Sequence, residues 1–192
     1  TMVDSHTFTV DPAQIILSDA ALPEYRLLEP LLGEVDLFFC SYDEARMIEN
    51  TLGAKGLSKR MSADKYIHHF LDFLAEEFWS RHGRTRMFGV TVSDGAYEKH
   101  MLPGGEMSKP VKITSNFMSG DIVDLVGAGD SFRAGLVSHV ARNIRTFESG
   151  RFDFAEAVQM GNLFASLYIK APLNDRYGHI APYERMLTVL PK

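Results

Sequence analysis

What the sequence lacks removes several function classes at once. There is one cysteine, Cys40, in 192 residues, which excludes an internal disulfide and a cysteine-rich zinc site and fits a reducing cytosol. No apolar run approaches the roughly 20 residues of a membrane span. The opening Thr1-Met2-Val3-Asp4-Ser5-His6 has no basic segment followed by an apolar one, so no secretory leader is read there. The expectation is a cytoplasmic protein with no membrane partner. Positive charge is in deficit, with 20 Lys and Arg against 25 Asp and Glu and a net charge of -5. A general attraction to nucleic acid is therefore not expected, and any phosphate site must be built locally. Repeats and low-complexity tracts are absent too.

What remains is ordinary globular material, 45% hydrophobic and 23% charged, enough for a single domain over residues 1–192. Thr1 precedes Met2, and Val3-Asp4-Ser5 reads like the end of a strand entering a loop, so a fragment of a longer protein is expected. Leu27-Leu28-Glu29-Pro30-Leu31-Leu32 predicts a helix, and Val35 to Cys40 a buried strand. A short helix is expected from Asp43 to Asn50. The clearest helix spans about Ser62 to His82, with Tyr66, Ile67, Phe70, Leu71, Leu74, Phe78 and Trp79 on one stripe, Ser62 as cap and Gly83 as stop. Met87 to Val92 predicts the next strand, and Ser93-Asp94-Gly95 a turn. Extended pieces at Glu98–Leu102 and Pro110–Thr114, separated by Pro103-Gly104-Gly105, predict a hairpin. Phe132, Leu136, Val137 and Val140 recur at helical spacing, and two more helices are expected at Phe154–Lys170 and Tyr183–Leu190. Strands alternating with helices indicate an α/β fold on a mostly parallel sheet.

The chemistry concentrates in Asp124-Leu125-Val126-Gly127-Ala128-Gly129-Asp130-Ser131-Phe132-Arg133-Ala134-Gly135. Glycines at 127 and 129 let the backbone approach an anion, and a helix starting there aims its amides and positive dipole end at it. Asp130 would repel phosphate at such a mouth, which makes sense if it takes a proton from an attacking hydroxyl. The competing reading is a tight loop with Asp130 as an ordinary acidic residue of a first helical turn. Neither the Walker spacing nor the third glycine of a dinucleotide fingerprint is present.

This segment resembles the Asp-Thr-Thr-Gly-Ala-Gly-Asp-x-Phe-x-Ala-Gly signature of the ribokinase-like, or PfkB, carbohydrate kinases. The resemblance implies a three-layer α/β/α sandwich with a mostly parallel central sheet. It implies ATP-dependent phosphorylation of a sugar-like small molecule, with Asp130 as catalytic base and the amides of Gly127, Ala128 and Gly129 as anion hole. Val35 to Ala45 resembles the family's Asn-x-x-Glu-Ala element, with Ser41 in the asparagine's place and Glu44 as the carboxylate that orders Mg2+ through water. Thr91, Ser93 and Gly95 stand where the family's Thr-x-Gly strand and loop contact nucleotide phosphates, Ser93 replacing a glycine. Asn162 matches an asparagine near the adenine. Asp124 corresponds to a ligand of a monovalent cation, K+, held also by later backbone carbonyls, while Val126 replaces a threonine. A homodimer is compatible with the family.

The resemblance runs from Val35 to the C-terminus. In full-length members, earlier strands and a small β lid supply most substrate contacts, and this chain is expected to be the C-terminal catalytic portion without them. Three functions stay open: a sugar or sugar-phosphate kinase, a nucleoside kinase of the same fold, and a noncatalytic relative suggested by Ser41, Ser93 and Val126. Asp130 argues against the last. His68 and His69 read as packing residues, Phe152, Phe154 and Phe164 as core, and Arg133 as a side chain within reach of a phosphate. Glu44 and Asn162 also admit plain readings, as a carboxylate early in a helix and a helix-surface amide.

Overall fold

Burial along β2 (Leu37–Ser41) does not alternate: its first four residues are all buried, as a parallel strand covered on both faces requires. In the computed structural model, which describes residues 2–4, 23–53, 60–79 and 85–191, this strand lies between β1 (Met2–Asp4) and β3 (Met87–Val92). Both pairings are parallel, with Met2 opposite Leu37, Leu37 opposite Met87 and Ser41 opposite Thr91. β4 (Gly95–His100) and β5 (Val111–Thr114) complete the order β1-β2-β3-β4-β5. The two-residue link Ser93-Asp94 allows only an antiparallel β3–β4 pair, so the sheet is mixed. Gly89 on β3 leaves room for the Phe39 ring, which a Cβ there would approach to 2.2 Å.

The chain divides into two compact units, Thr1–Val92 with Tyr97–Lys112, and Ser93–Ala96 with Ile113–Lys192. In the first, a 3-10 turn (Pro23–Leu28) leads into α1 (Glu29–Leu32), and α2 (Tyr42–Leu52) and α3 (Ala63–Leu74) form the crossover from β2 to β3. The core joins Phe38, Cys40, Phe88 and Val90 from strands to Ile48 of α2 and Tyr66, Phe70 and Leu74 of α3. Cys40 is wholly buried, its Sγ 4.0 Å from the Gly89 carbonyl. The predicted stripe is the buried face of α3, which runs on into a single π turn, Ala75–Trp79. His82 and the helix stop predicted at Gly83 lie outside the described residues.

In the second unit, α4 (Ala128–Arg142) lies against α6 (Phe154–Lys170) with glycine at the contact. A Cβ on Gly135 would lie 2.7 Å from the Met160 carbonyl, and one on Gly161 2.8 Å from the Phe132 ring. Asp153 caps α6, accepting from the Glu156 amide at 2.9 Å. After α5 (Ile144–Glu148), the rings of Phe147, Phe152 and Phe154 meet edge to face at 5.1–6.1 Å. Met160, Leu163 and Phe164 bury Met186 of α7 (Tyr183–Leu187) and Leu190 beyond it.

Several boundaries differ from expectation, β2 for instance running Leu37–Ser41 rather than Val35–Cys40. β4 starts at Gly95, three residues before the predicted piece, because β3 turns straight into it. The expected hairpin of short extended pieces is present as the neighbouring strands β4 and β5, with an antiparallel bridge of Met101 to Met107 between them in the chain. The last helix ends at Leu187, and Leu190 is buried without being helical.

Candidate active site

Entry to α4 is fixed by backbone before any side chain acts. Gly127 takes φ +87°, a left-handed conformation that other residues rarely adopt, and a Cβ there would meet the Tyr168 ring at 2.8 Å. The first full helical bond of α4 runs from the Ser131 amide to the Gly127 carbonyl, 2.9 Å, and the Ala128 amide donates to Leu125 O at 3.1 Å. Helix geometry supplies no intrahelical acceptor for the amides preceding Ser131. Residues 127–129 carry nothing larger than a methyl, so the turn can admit an anion close to its backbone. Asp130 stands in the first turn with its carboxylate 63% exposed, 3.8 Å from Nη1 of Arg133. Arg133 is buried, and a Cβ on Gly129 would come within 3.0 Å of that same Nη1. A guanidinium thus lies alongside the cradle, as the spacing suggested.

The preceding loop is tied down on several sides. The amides of Val123 and Asp124 donate to Ile169 O of α6 at 2.9 and 3.2 Å. Asp124 Oδ1 accepts from the Val126 amide at 3.1 Å, and Oδ2 pairs with Nη2 of Arg176 at 2.5 Å. Nη1 of the same guanidinium donates to Val126 O at 2.8 Å, and its carbon lies 4.8 Å from the Tyr168 ring centre. The Val126 amide, then Arg176, hold the Asp124 carboxyl below the usual carboxylate range. Lys170 Nζ donates at 2.6 Å to Phe117 O, Ser119 O and Ser166 Oγ, and burial lowers its pKa. Asp124 and Val126 O therefore already serve a cation that belongs to the chain, and this donor set does not fit an added potassium ion. Sequence reading missed Arg176 and Tyr168: Arg176 lies 52 residues from Asp124, in a loop without a motif.

In the first unit, Ser41 ends β2 and caps α2. Its Oγ accepts from the Glu44 amide at 3.2 Å, and the Glu44 carboxylate accepts from the Ser41 amide at 2.6 Å, a reciprocal capping box. Glu44 is buried, 6% exposed. Thr91 stands opposite Ser41 in the β2–β3 register, its Oγ1 donating to Cys40 O at 3.4 Å. Ser41 and Thr91 lie at the C-terminal ends of parallel strands and Glu44 in the first turn of the helix that follows, the region where open α/β sheets place ligands. Among the described residues, no group of three or more His, Cys, Asp and Glu is arranged to hold a metal ion. Mg2+ needs only one or two carboxylates beside its waters and substrate phosphates; Glu44 is the carboxylate expected to serve it, and here its Oε2 accepts from the Ser41 amide.

Ser93 is exposed in the β3–β4 turn, and Gly95 takes φ +146°, where a Cβ would press on Ile113 O at 2.2 Å. Asn162 is buried on α6 rather than on its surface; its Nδ2 donates to Gln159 Oε1 at 3.3 Å, and Gln159 in turn donates to Thr114 O at 2.8 Å. His68 meets the Tyr97 ring edge to face at 5.7 Å, and His69 Nε2 is 3.1 Å from Glu49 Oε1. Both histidines are engaged in packing and pairing within the first unit. No described helix is long and apolar enough to cross a membrane.

Among solved structures, the chain is similar to aminoimidazole riboside kinase from Salmonella enterica, solved with aminoimidazole riboside and an ATP analog. That match has a TM-score of 0.59 at 16% identity, covering 97% of this chain and 50% of that one. An adenosine kinase of Anopheles gambiae matches with a TM-score of 0.59 at 16% identity over 83% and 42%. The ribokinase of Thermotoga maritima matches with a TM-score of 0.55 at 15% identity over 83% and 43%. The fold is accordingly ribokinase-like α/β, and the chain spans half the length of these proteins or less. No curated protein matches at a significant level. The sequence profile of the pfkB family carbohydrate kinases matches residues 10–174, a span that includes the glycine turn and α6, and the chain belongs to that family.

Proposed function

We propose that the protein carrying this chain moves the γ-phosphoryl group of ATP to a hydroxyl of a sugar or sugar-like small molecule. The observation that carries the reading is the intact Gly127-Ala128-Gly129-Asp130 turn at the start of a 15-residue helix, left-handed at Gly127 and with an exposed carboxylate three residues on. In this reading Asp130 removes the proton of the acceptor hydroxyl as its oxygen bonds to the γ-phosphorus, and the bond from that phosphorus to the ADP oxygen breaks. The Gly127–Gly129 amides, the Ala128 one shared with Leu125 O, and the helix dipole hold the charge on the transferred group. Thr91, Ser93, Gly95, Asn162 and Ser41 are proposed as nucleotide contacts, and Glu44 as the carboxylate that orders Mg2+ through water.

The reading is tested by ATP consumption in the intact protein against a panel of sugars, sugar phosphates and nucleosides, with Asp130→Asn alongside. Turnover on one acceptor should fall in the variant by about 10²–10⁴-fold, the usual worth of a general base, while ATP binding is largely kept. Near-normal turnover in Asp130→Asn removes the base assignment. ATP binding without turnover on any acceptor favours a noncatalytic relative.

A further inference from the structure

We infer that Arg176 is the built-in counter-cation of the loop leading into the phosphate turn, so that this chain requires no bound monovalent metal ion there. The placement rests on geometry within the second unit alone; its bearing on phosphate binding rests on the kinase reading above.

A monovalent ion beside such a loop would neutralise the Asp124 carboxylate and gather neighbouring carbonyl oxygens around one point. Arg176 does both. One arm of its guanidinium pairs with Asp124 Oδ2 at 2.5 Å and the other donates to Val126 O at 2.8 Å. The planar fork spans two acceptors set two residues apart, which an ammonium or a spherical ion satisfies without that directional choice. The side chain is 9% exposed, and its plane is backed by Tyr168, whose ring also fills the space beside Gly127. One aromatic residue therefore touches both the cation and the left-handed glycine that aims the amides. The positive charge is fixed where the loop turns toward α4, and a second cation at Asp124 would face an adjacent guanidinium.

The test compares thermal unfolding of the full chain in potassium chloride and tetramethylammonium chloride at equal ionic strength. The unaltered chain should melt at the same temperature in both salts. Arg176→Ala should melt lower in tetramethylammonium and recover several degrees with a saturable dependence on potassium. A saturable, potassium-specific rise in the unaltered chain overturns the inference. So does an Arg176→Ala variant that potassium fails to rescue, which would leave Arg176 as a plain tether. If the alanine variant does not fold, Arg176→Gln, which keeps the length and one donor arm but no charge, is read by the same criteria. ATP titration calorimetry in both salts separates the two claims: no ATP binding in either salt counts against the kinase reading alone, while the melting comparison still judges Arg176.

Discussion

In the proposed reading Gly127 acts through its backbone and Asp130 through its exposed carboxylate, and substitutions there separate conformation from chemistry. Gly127→Ala forces a side chain into a left-handed residue at about 1–2 kcal/mol and sets its Cβ against Tyr168. The chain should lose at least that much stability in urea denaturation, together with any phosphate affinity. Ser93, exposed in its turn, should tolerate Ser93→Gly with nucleotide affinity unchanged or improved, since glycine allows closer backbone approach. A severe loss of ATP binding by calorimetry would give the hydroxyl a role of its own. The glycines and Asp130 were legible because the motif is consecutive and its residue types are unusual together. Arg176 was not, since only the folded chain brings it to Asp124, and Ser41 stood out as a departure from the family pattern until the structure showed it capping a helix.

At the scale of elements, the α4–α6 contact reverses a general rule. Alanine normally stabilises a helix over glycine by about 0.5–1 kcal/mol, yet Gly161→Ala and Gly135→Ala each place a methyl where the opposite helix already sits. Each should lower stability by about 1–3 kcal/mol, as overpacking does, visible as a lower melting temperature. Ser41→Ala should cost about 1 kcal/mol by removing the cap of α2. His139 makes α4 pH-sensitive: burial holds its pKa below the ordinary histidine value, against the pull of Glu156 and Asp153, and Tyr183 Oη lies 2.9 Å from its Nδ1. Because the folded value is the lower one, the unfolded chain takes up protons first as pH falls. Stability is then full above about pH 6.5 and declines through that value toward the lowered one. The urea midpoint should fall between pH 7 and 5.5, and His139→Gln should flatten that slope. Most helices and the β2 and β3 strands were readable from period and length. The early start of β4 and the π turn after α3 were not, because a two-residue turn and one extra residue per turn leave no mark on hydrophobic spacing.

For the whole molecule, family membership rests on residues 10–174, while the chain spans half or less of the solved proteins it resembles. Sequence could place the Gly-Ala-Gly-Asp motif but carried no signature of the acceptor. If the kinase reading holds, MgATP at about a hundred times its Kd should stabilise the intact protein by about 2.7 kcal/mol. A differential scanning trace with no upward shift at saturating nucleotide would count against ATP as the phosphoryl donor. Cys40 adds a clock to these measurements. As the sole thiol in the chain, fully enclosed on β2, it can meet an aqueous thiol reagent only when that strand opens. Its labelling rate therefore times the opening of the sheet's central parallel strand without any engineered probe.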